Sequence, residues 1–152
     1  MKPAPENFPR LSPSLTYQDA AKAIDWLCEA FGFELRLKVE GEPGQILHSE
    51  LTYGDGVIMV SQELSESHDR RWKLRMRSPK SLGGACTQTL MLYVDDANAH
   101  CEHARSRGAI IIDEPSTHDY GDGYWADRSY GATDIEGHMW WITQRLRNPG
   151  EK

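Results

Sequence analysis

Cysteine and long apolar segments are both scarce in this chain of 152 residues. Its three cysteines, an odd number with no CxxC spacing, argue against a disulfide framework or a zinc ribbon. No stretch approaches the roughly 20 apolar residues that span a bilayer. Residues 1–6 also lack the apolar segment typical of a secretory signal. We therefore expect a cytoplasmic protein that contacts no membrane.

Positive charge is in deficit as well. Lys and Arg number 17 against 23 Asp and Glu, which gives a formal net charge of −6. An acidic domain is a poor general binder of phosphate backbones, so we expect no nucleic-acid partner. The sequence also has no Gly-x-Ser-x-Gly elbow, no Walker loop and no dinucleotide-binding fingerprint. The sequence therefore contains none of these common catalytic or nucleotide-binding motifs.

What the chain does contain is an internal repeat. Residues 17–32 match residues 93–108 without gaps, at an offset of 76, with five identities. The identities place Tyr17, Asp19, Ala21, Ala23 and Gly32 on Tyr93, Asp95, Ala97, Ala99 and Gly108. Each segment predicts a helix of about a dozen residues that is closed by its glycine. Chance similarity between two amphipathic helices is the alternative, but the matching flanking elements favour duplication.

The flanking patterns predict three strands after each helix. Alternating or apolar runs mark them at 33–39, 46–53, 57–61, 109–112, 129–133 and 139–143. With a short strand before each helix, the chain is predicted to be a single α+β domain, 1–152. It consists of two βαβββ modules, about 11–62 and 86–145. The two modules are expected to form one curved, incomplete barrel with the helices outside.

The segment 63–85 between the modules is too long for an ordinary connection. It holds six of the 17 basic residues, interleaved with Trp72 and Leu74. These are Arg70, Arg71, Lys73, Arg75, Arg77 and Lys80. It could grip an anionic ligand, a partner subunit or nucleic acid. Alternatively, it is a solvated linker that lets the modules exchange partners, since charge runs are usually solvent-facing.

Three features together resemble a known family. They are the duplicated module, the opening Tyr-x-Asp-Ala…Ala-Ile-Asp-Trp-Leu…Ala-Phe-Gly-Phe and the ending Asp134-Ile-Glu-Gly-His138-Met-Trp140. They resemble the vicinal oxygen chelate superfamily, which includes glyoxalase I, bleomycin-resistance proteins and extradiol dioxygenases. The segment 46–59 is most similar to its bacterial PhnB-like branch. The resemblance spans about residues 11–144 and implies a fold more firmly than a chemistry.

The resemblance also implies where a divalent metal would bind in the family's enzymes. Carried over, the four ligand positions fall on Ser12, Val60, Thr89 and Trp141, or on Gln88 if one strand slips by a residue. Val and Trp cannot ligate a divalent ion, and the hydroxyls are weak neutral donors. We therefore expect no metal and no cofactor.

His48 and Glu50 offer an alternative metal site, because alternation on a strand points both competent ligands to one face. They belong to the third strand of the first module, one strand away from the implied position. A hydrogen-bonded pair in a pocket or core is the other interpretation. His100 and His103 share a helix face that we expect to be outside the barrel.

Aromatic side chains are concentrated late in the chain. Tyr120, Tyr124 and Trp125 lie in a predicted loop at 117–127, which also carries Asp119, Asp122 and Asp127. Aromatic faces suit planar or cationic ligands, and the acids would favour a positive charge. Strand alternation predicts a ligand-binding face that includes Trp141. The predicted ligand-binding residues are His48, Glu50, Thr89, Met91, Tyr93, Trp125, Tyr130 and Trp141, with Met139 beside them.

Three functions follow as hypotheses. The first is a metal-independent protein that sequesters an aromatic or cationic small molecule, such as an antibiotic. The second is a metal-dependent lyase, isomerase or dioxygenase with a rearranged site. The third is a dimeric interaction protein with no ligand of its own. The missing ligand set favours the first over the second. The aromatic residues favour the first over the third. In each case we expect a homodimer, because cavities in this family are often completed by a second chain.

Overall fold

The computed structural model describes residues 1–64 and 75–151. The chain divides into two compact units, Met1–Ala85 and Cys86–Lys152. Each unit is built around one four-stranded sheet with a helix on one face. Within the described residues, no helix combines the length and apolarity that crossing a membrane requires.

The first unit follows the predicted strand–helix–three-strand order. The helix of this unit continues into a π-helical turn, Leu27–Phe31. A 3₁₀ turn, Pro79–Leu82, follows the last strand. Its elements are β1 (Ser14–Tyr17), α1 (Ala20–Trp26), β2 (Glu34–Glu40), β3 (Ile46–Tyr53) and β4 (Gly56–Gln62). The sheet order is β1-β4-β3-β2, with β1 parallel to β4 and the other pairs antiparallel.

The second unit repeats this order and the sheet topology. Its elements are β5 (Thr89–Tyr93), α2 (Ala97–Ser106), β6 (Ile110–Asp119), β7 (Ala126–Thr133) and β8 (Met139–Arg147). The sheet order is β5-β8-β7-β6, and β5 is again parallel to its neighbour. The predicted α+β fold with two βαβββ modules is confirmed.

Strand alternation gives each sheet one face covered by its helix and one helix-free face. In the first sheet Leu15, Leu51 and Val60 lie on the covered face and are essentially buried. In the second sheet Trp140 and Ile142 do the same under α2. Removing these apolar side chains from water supplies the main driving force for each unit.

The two helices start in the same way. Asp19 accepts a hydrogen bond from the Lys22 amide, and Asp96 accepts one from the Ala99 amide. These are N-cap contacts that satisfy free helix donors. Two glutamines on the last strands add a second contact, because Gln62 accepts from the Ala20 amide and Gln144 from the Ala97 amide. The aspartates relate the helix starts by an offset of 77, whereas the glutamines relate the last strands by an offset of 82. The ungapped offset of 76 is therefore wrong for the helix starts and for the last strands.

The glycines nevertheless match at 76 because α1 contains one extra residue. Its π-helical turn, Leu27–Phe31, ends at Gly32, whose φ is 84°. A π-turn inserts a residue into an α-helix. The second helix has no such turn before Gly108, whose φ is 95°. Because of this extra residue, the offset of 76 aligns the glycines at the helix ends but not the helix starts.

The predicted linker is fastened to the first unit at its described ends. Glu63 accepts hydrogen bonds from the Ser78 amide at 3.0 Å and from the Ser81 hydroxyl at 2.7 Å. It also forms a 2.9 Å ion pair with Arg77. Of the basic and apolar residues singled out in this segment, Arg70, Arg71, Trp72, Lys73 and Leu74 lie outside the described residues. Residues 75–85 belong to the first unit rather than to a free spacer.

The predicted loop after residue 112 is much shorter than expected. Strand β6 continues to Asp119 and β7 already begins at Ala126, so the connection is the short loop 120–125. Two register shifts in β6, between Ile111 and Asp113 and between Asp113 and Ser116, accommodate its irregular sequence. Bulges let a strand continue through Pro115, where a regular ladder would be broken.

Candidate ligand-binding face

The helix-free face of the second sheet gathers several of the predicted residues. Thr89 pairs with Met139, Met91 with Trp141, and Tyr93 with Thr143 across the parallel β5–β8 ladder. Met91 is 64% exposed and Tyr93 48% exposed, although both are large and partly apolar. We call this surface, with Trp141 at its centre, the Trp141 face.

Trp141 is half-buried because its ring lies across the neighbouring strand. Gly131 is its partner on β7. A Cβ atom on Gly131 would lie 3.0 Å from Cζ3 of Trp141 and 3.1 Å from Cγ1 of Ile112. The six-membered ring therefore sits directly over the glycine backbone, with Ile112 beside it. A glycine at this place is what allows the indole to lie on the sheet.

A polar network adjoins the indole along the same face. The guanidinium of Arg145 donates to the Tyr93 hydroxyl at 2.9 Å and to Oδ1 of Asp127 at 2.6 Å. Its Cζ also lies 5.5 Å from the centroid of the Tyr93 ring, within cation–π range. Arg145 was not among the predicted residues. Continuing the alternation from Trp141 through Thr143 would have placed it on this face.

The acidic residues expected to attract a cation are largely engaged by arginines. Asp127 is paired with Arg145, and Asp119 accepts from Arg147 at 2.5 and 3.1 Å. The hydrogen bonds from Arg147 and from the Gly121 amide hold the pKa of the Asp119 carboxyl below its usual range. The acidic residues therefore supply less free negative charge than the sequence suggested.

The predicted aromatic residues separate into two places. Trp125 lies in the hairpin loop and packs on Tyr120 and Tyr124, with ring centroids 4.7 and 6.3 Å apart. The six residue-to-residue steps from Trp125 to Gly131 along β7 span about 20 Å. Trp125 is therefore far from Trp141, and the structure does not join them in one cluster.

Tyr130 was predicted on the same face as Trp141, and this prediction is wrong. It pairs with Ile142 on the covered face, is fully buried, and is joined to Nδ1 of His100 on α2 by a 2.7 Å hydrogen bond. The register of β7 against β8 places Gly131 opposite Trp141, which turns its neighbour Tyr130 the other way. His100 is thus a support for the core and not simply a surface residue.

His48 and Glu50 lie in the first unit, on the helix-free face of its sheet. Glu50 accepts a 3.1 Å hydrogen bond from Nε2 of His48 and forms a 3.2 Å ion pair with Nε of Arg36 through its other oxygen. Arg36 in turn donates to the Asn7 carbonyl and lies over the Phe8 ring. Both carboxylate oxygens are thus engaged, and the adjacent guanidinium would repel a cation. This arrangement matches a hydrogen-bonded pair better than a metal site.

The positions implied by the family's metal enzymes hold poor ligands here. Val60 is on the covered face, and the position equivalent to Trp141, three residues before Gln62, is Met59. Ser12 has a buried Oγ that finds no partner among the described residues, but it is a lone neutral hydroxyl. Within the part of the chain that the structure describes, His, Cys, Asp and Glu form no cluster of three suited to a metal ion. The residues present do not fit the family's metal.

Each unit has an open groove beside a terminal segment of the chain. One, of about 660 Å³ in the first unit, is bordered by Phe8, Arg36 and Asp55. The other, of about 540 Å³ in the second unit, is bordered by Asp122, Arg147 and Glu151. No sequence pattern predicts either groove, because each depends on a terminal segment returning to its sheet. Trp141 lines neither groove.

Two units that each carry one βαβββ module define a class of α+β proteins built by duplication. A family-wide sequence profile, described as Glyoxalase/Bleomycin resistance protein/Dioxygenase superfamily, matches residues 11–142. The chain belongs to the Glyoxalase/Bleomycin resistance protein/Dioxygenase superfamily. The resemblance to this superfamily in the sequence is thus confirmed.

The similarity to other proteins covers nearly the whole chain. The uncharacterized protein Rv0887c of Mycobacterium tuberculosis is 30% identical over 139 residues, which cover 91% of this chain and 76% of the relative. The crystal structure of TioX from Micromonospora sp. ML1 has a TM-score of 0.64 and 27% identity, covering 90% of this chain and 95% of TioX. That of TnmS3, an antibiotic binding protein from Streptomyces sp. CB03234, has a TM-score of 0.60 and 20% identity, covering 88% and 93%.

Proposed function

We propose that this protein binds a planar aromatic small molecule on the Trp141 face without chemical conversion. The observation that carries the proposal is the position of the indole, which lies on the sheet over Gly131 with exposed apolar neighbours. Met91 and Ile112 are 64% and 46% exposed beside it. Contiguous exposed apolar surface of this kind marks a binding site more often than an inert surface.

The fold-level neighbours support a binding role. TnmS3 is described as an antibiotic binding protein, and its fold matches that of this chain. We extend only the broad idea that a protein with this fold can bind a small molecule. We also propose that the protein belongs to the PhnB-like branch and that it is cytoplasmic. Both proposals rest on the sequence patterns.

Metal independence is also part of the proposal. Thr89 and Trp141 supply no strong ligand, Met59 offers only a thioether, and Glu50 is held between Arg36 and His48. Hard or borderline divalent ions prefer carboxylate and imidazole donors that are free to bind. This donor set is the reason to favour binding over the lyase, isomerase or dioxygenase alternative.

The binding proposal is tested with naphthalene-2-methanol, a neutral two-ring probe, in calorimetric and ligand-observed NMR titrations. We expect saturable binding at one site per chain. Trp141→Ala should weaken it about threefold or more, because aromatic stacking contributes about 0.5–1.5 kcal/mol beyond burial. Trp125→Ala is the matched control, since it removes an indole about 20 Å away. Absence of saturable binding, or a loss caused by Trp125→Ala alone, would contradict the proposal.

The metal proposal is tested by elemental analysis of the purified, dialysed protein. We expect zinc, nickel, manganese and iron to stay far below one ion per chain. His48→Ala should leave the metal content unchanged, as should His118→Ala, a control at an exposed histidine that contacts Ser116. One tightly bound ion per chain, lost in His48→Ala but kept in the control, would establish a rearranged metal site.

A further inference from the structure

The polar groups next to Trp141 indicate which aromatic ligands the face would select. Tyr93 stands in the neighbouring row of side chains, two residues beyond Met91, the cross-strand partner of Trp141. Rows on one face of a sheet are about 7 Å apart. A two-ring ligand stacked on the indole would therefore bring a substituent to the Tyr93 hydroxyl.

That hydroxyl has its own hydrogen to donate to a ligand. Its oxygen already accepts a hydrogen bond from Nη2 of Arg145 at 2.9 Å. A phenolic hydroxyl has one hydrogen to donate, and accepting from a cation strengthens that donation. Each terminal nitrogen of Arg145 also keeps a second N–H beyond its contacts with Tyr93 and with Asn148. The Tyr93 hydroxyl and the Arg145 guanidinium thus present several hydrogen-bond donors to a ligand.

The carboxylate in this network is the group least accessible to a ligand. The Asp127 side chain is 13% exposed, against 30% for Arg145, and the whole Tyr93 residue is 48% exposed. The 2.6 Å contact with Nε of Arg145 occupies one carboxylate oxygen and offsets its charge. An incoming ligand therefore meets the hydroxyl and the guanidinium before the acid.

We propose that the Trp141 face prefers planar aromatic ligands that carry an anionic oxygen, a carboxylate or a phenolate, which Tyr93 and Arg145 bind. This inference rests on the proposed function. It replaces the cationic ligand suggested by the acidic residues of the sequence, because two of those three acids, Asp127 and Asp119, are engaged by Arg145 and Arg147.

The test compares three probes that share one ring system at pH 7.5. They are 2-naphthoate, naphthalene-2-methanol and 2-naphthylmethylammonium, titrated by calorimetry at fixed ionic strength. We expect 2-naphthoate to bind tightest and the ammonium weakest, with about fivefold or more between them. Tyr93→Phe should lower the affinity for 2-naphthoate about tenfold, since hydrogen bonds to charged groups are the strong ones, and lower that for the alcohol about threefold or less.

Tyr124→Phe, at an exposed tyrosine of the hairpin loop, is the matched control and should change neither affinity. If the ammonium probe binds as tightly as 2-naphthoate, or if Tyr93→Phe has no effect, the inference is wrong. The proposed function still stands in that case, provided that Trp141→Ala weakens the alcohol. If none of the three probes binds, the proposed function itself fails and the inference with it.

Discussion

The indole Nε1 of Trp140 donates a 3.1 Å hydrogen bond to Oδ2 of Asp134, in the turn that leads into β8. The other oxygen of this buried carboxylate accepts from the amides of Glu136 and His138 at 3.1 and 3.0 Å. A single aspartate thus fixes both the turn and the first tryptophan of the pair. Strand alternation turns the adjacent Trp141 to the opposite face of the sheet.

The first prediction separates these two tryptophans. Trp140→Ala should destabilise the protein by about 3–5 kcal/mol, because it removes a fully buried indole and leaves a cavity under α2. Trp141→Ala should cost much less stability and mainly weaken ligand binding. Denaturant melts and probe titrations on both variants measure the two effects. The opposite assignment, with Trp140 governing binding, would mean that the register of β8 is shifted by one residue.

The second prediction concerns Gly131. Its φ is not in the left-handed region, so Gly131→Ala is not opposed by the backbone. Its new Cβ would instead meet the Trp141 ring at 3.0 Å, and such overpacking costs about 1–3 kcal/mol. In a Trp141→Ala background the same change should cost at least about 1 kcal/mol less. A double-mutant cycle in urea measures this coupling. Equal costs in both backgrounds would show that the ring does not rest on Gly131.

The third prediction concerns assembly. We propose a symmetric homodimer, because strand β2 at the edge of the first sheet exposes Leu35, Leu37 and Val39 by 42–46% each. Monomeric proteins seldom leave such an edge uncovered. Light scattering at micromolar concentration should give twice the chain mass of 17.3 kDa. Leu37→Lys should shift the equilibrium toward monomers, whereas Leu146→Lys, at an exposed site on the other unit, should not. A monomer of the unaltered protein would contradict the proposal.

The fourth prediction concerns the thiols. Burial raises the pKa of the Cys101 thiol, and burial together with Asp25 raises that of Cys28. Cys86 is exposed and donates to the Gly137 carbonyl at 3.1 Å. Because the thiolate is the reactive form, a disulfide reagent at pH 8 should modify one thiol of three about tenfold faster than the others. Cys86→Ser should remove that fast phase, and persistence of the phase would assign it to another cysteine.

The sequence predicted the Trp141 face better than it predicted the groups around it. Alternation within β5 and β8 is a local property, so Met91, Tyr93 and Trp141 could be assigned to one side from the chain alone. Tyr130 could not, because its side depends on how β7 pairs with β8. That register follows from the turn held by Asp134, which no periodicity reveals. The ion pair between Arg145 and Asp127 likewise requires two strands to be in register.

The repeat shows a similar limit. Five identities revealed the duplication, yet the shared glycines forced an ungapped alignment onto helices of different length. The extra residue in the π-turn has no compositional signal, because the buried Leu27 and Phe31 at its ends would suit an ordinary α-helix equally well. Asp19 and Asp96, whose side chains cap the helices, would have given the correct offset.

The contacts of Glu63 with Ser78 and Ser81 have a consequence for how this gene can vary. Because both ends of the intervening segment are tied to one carboxylate, its length has little influence on the fold. In general, doubling the length of a connection whose ends are held together costs only about 0.6 kcal/mol. Insertions and deletions between relatives should therefore concentrate there. It is also the natural point at which to insert a peptide tag without disturbing the first sheet.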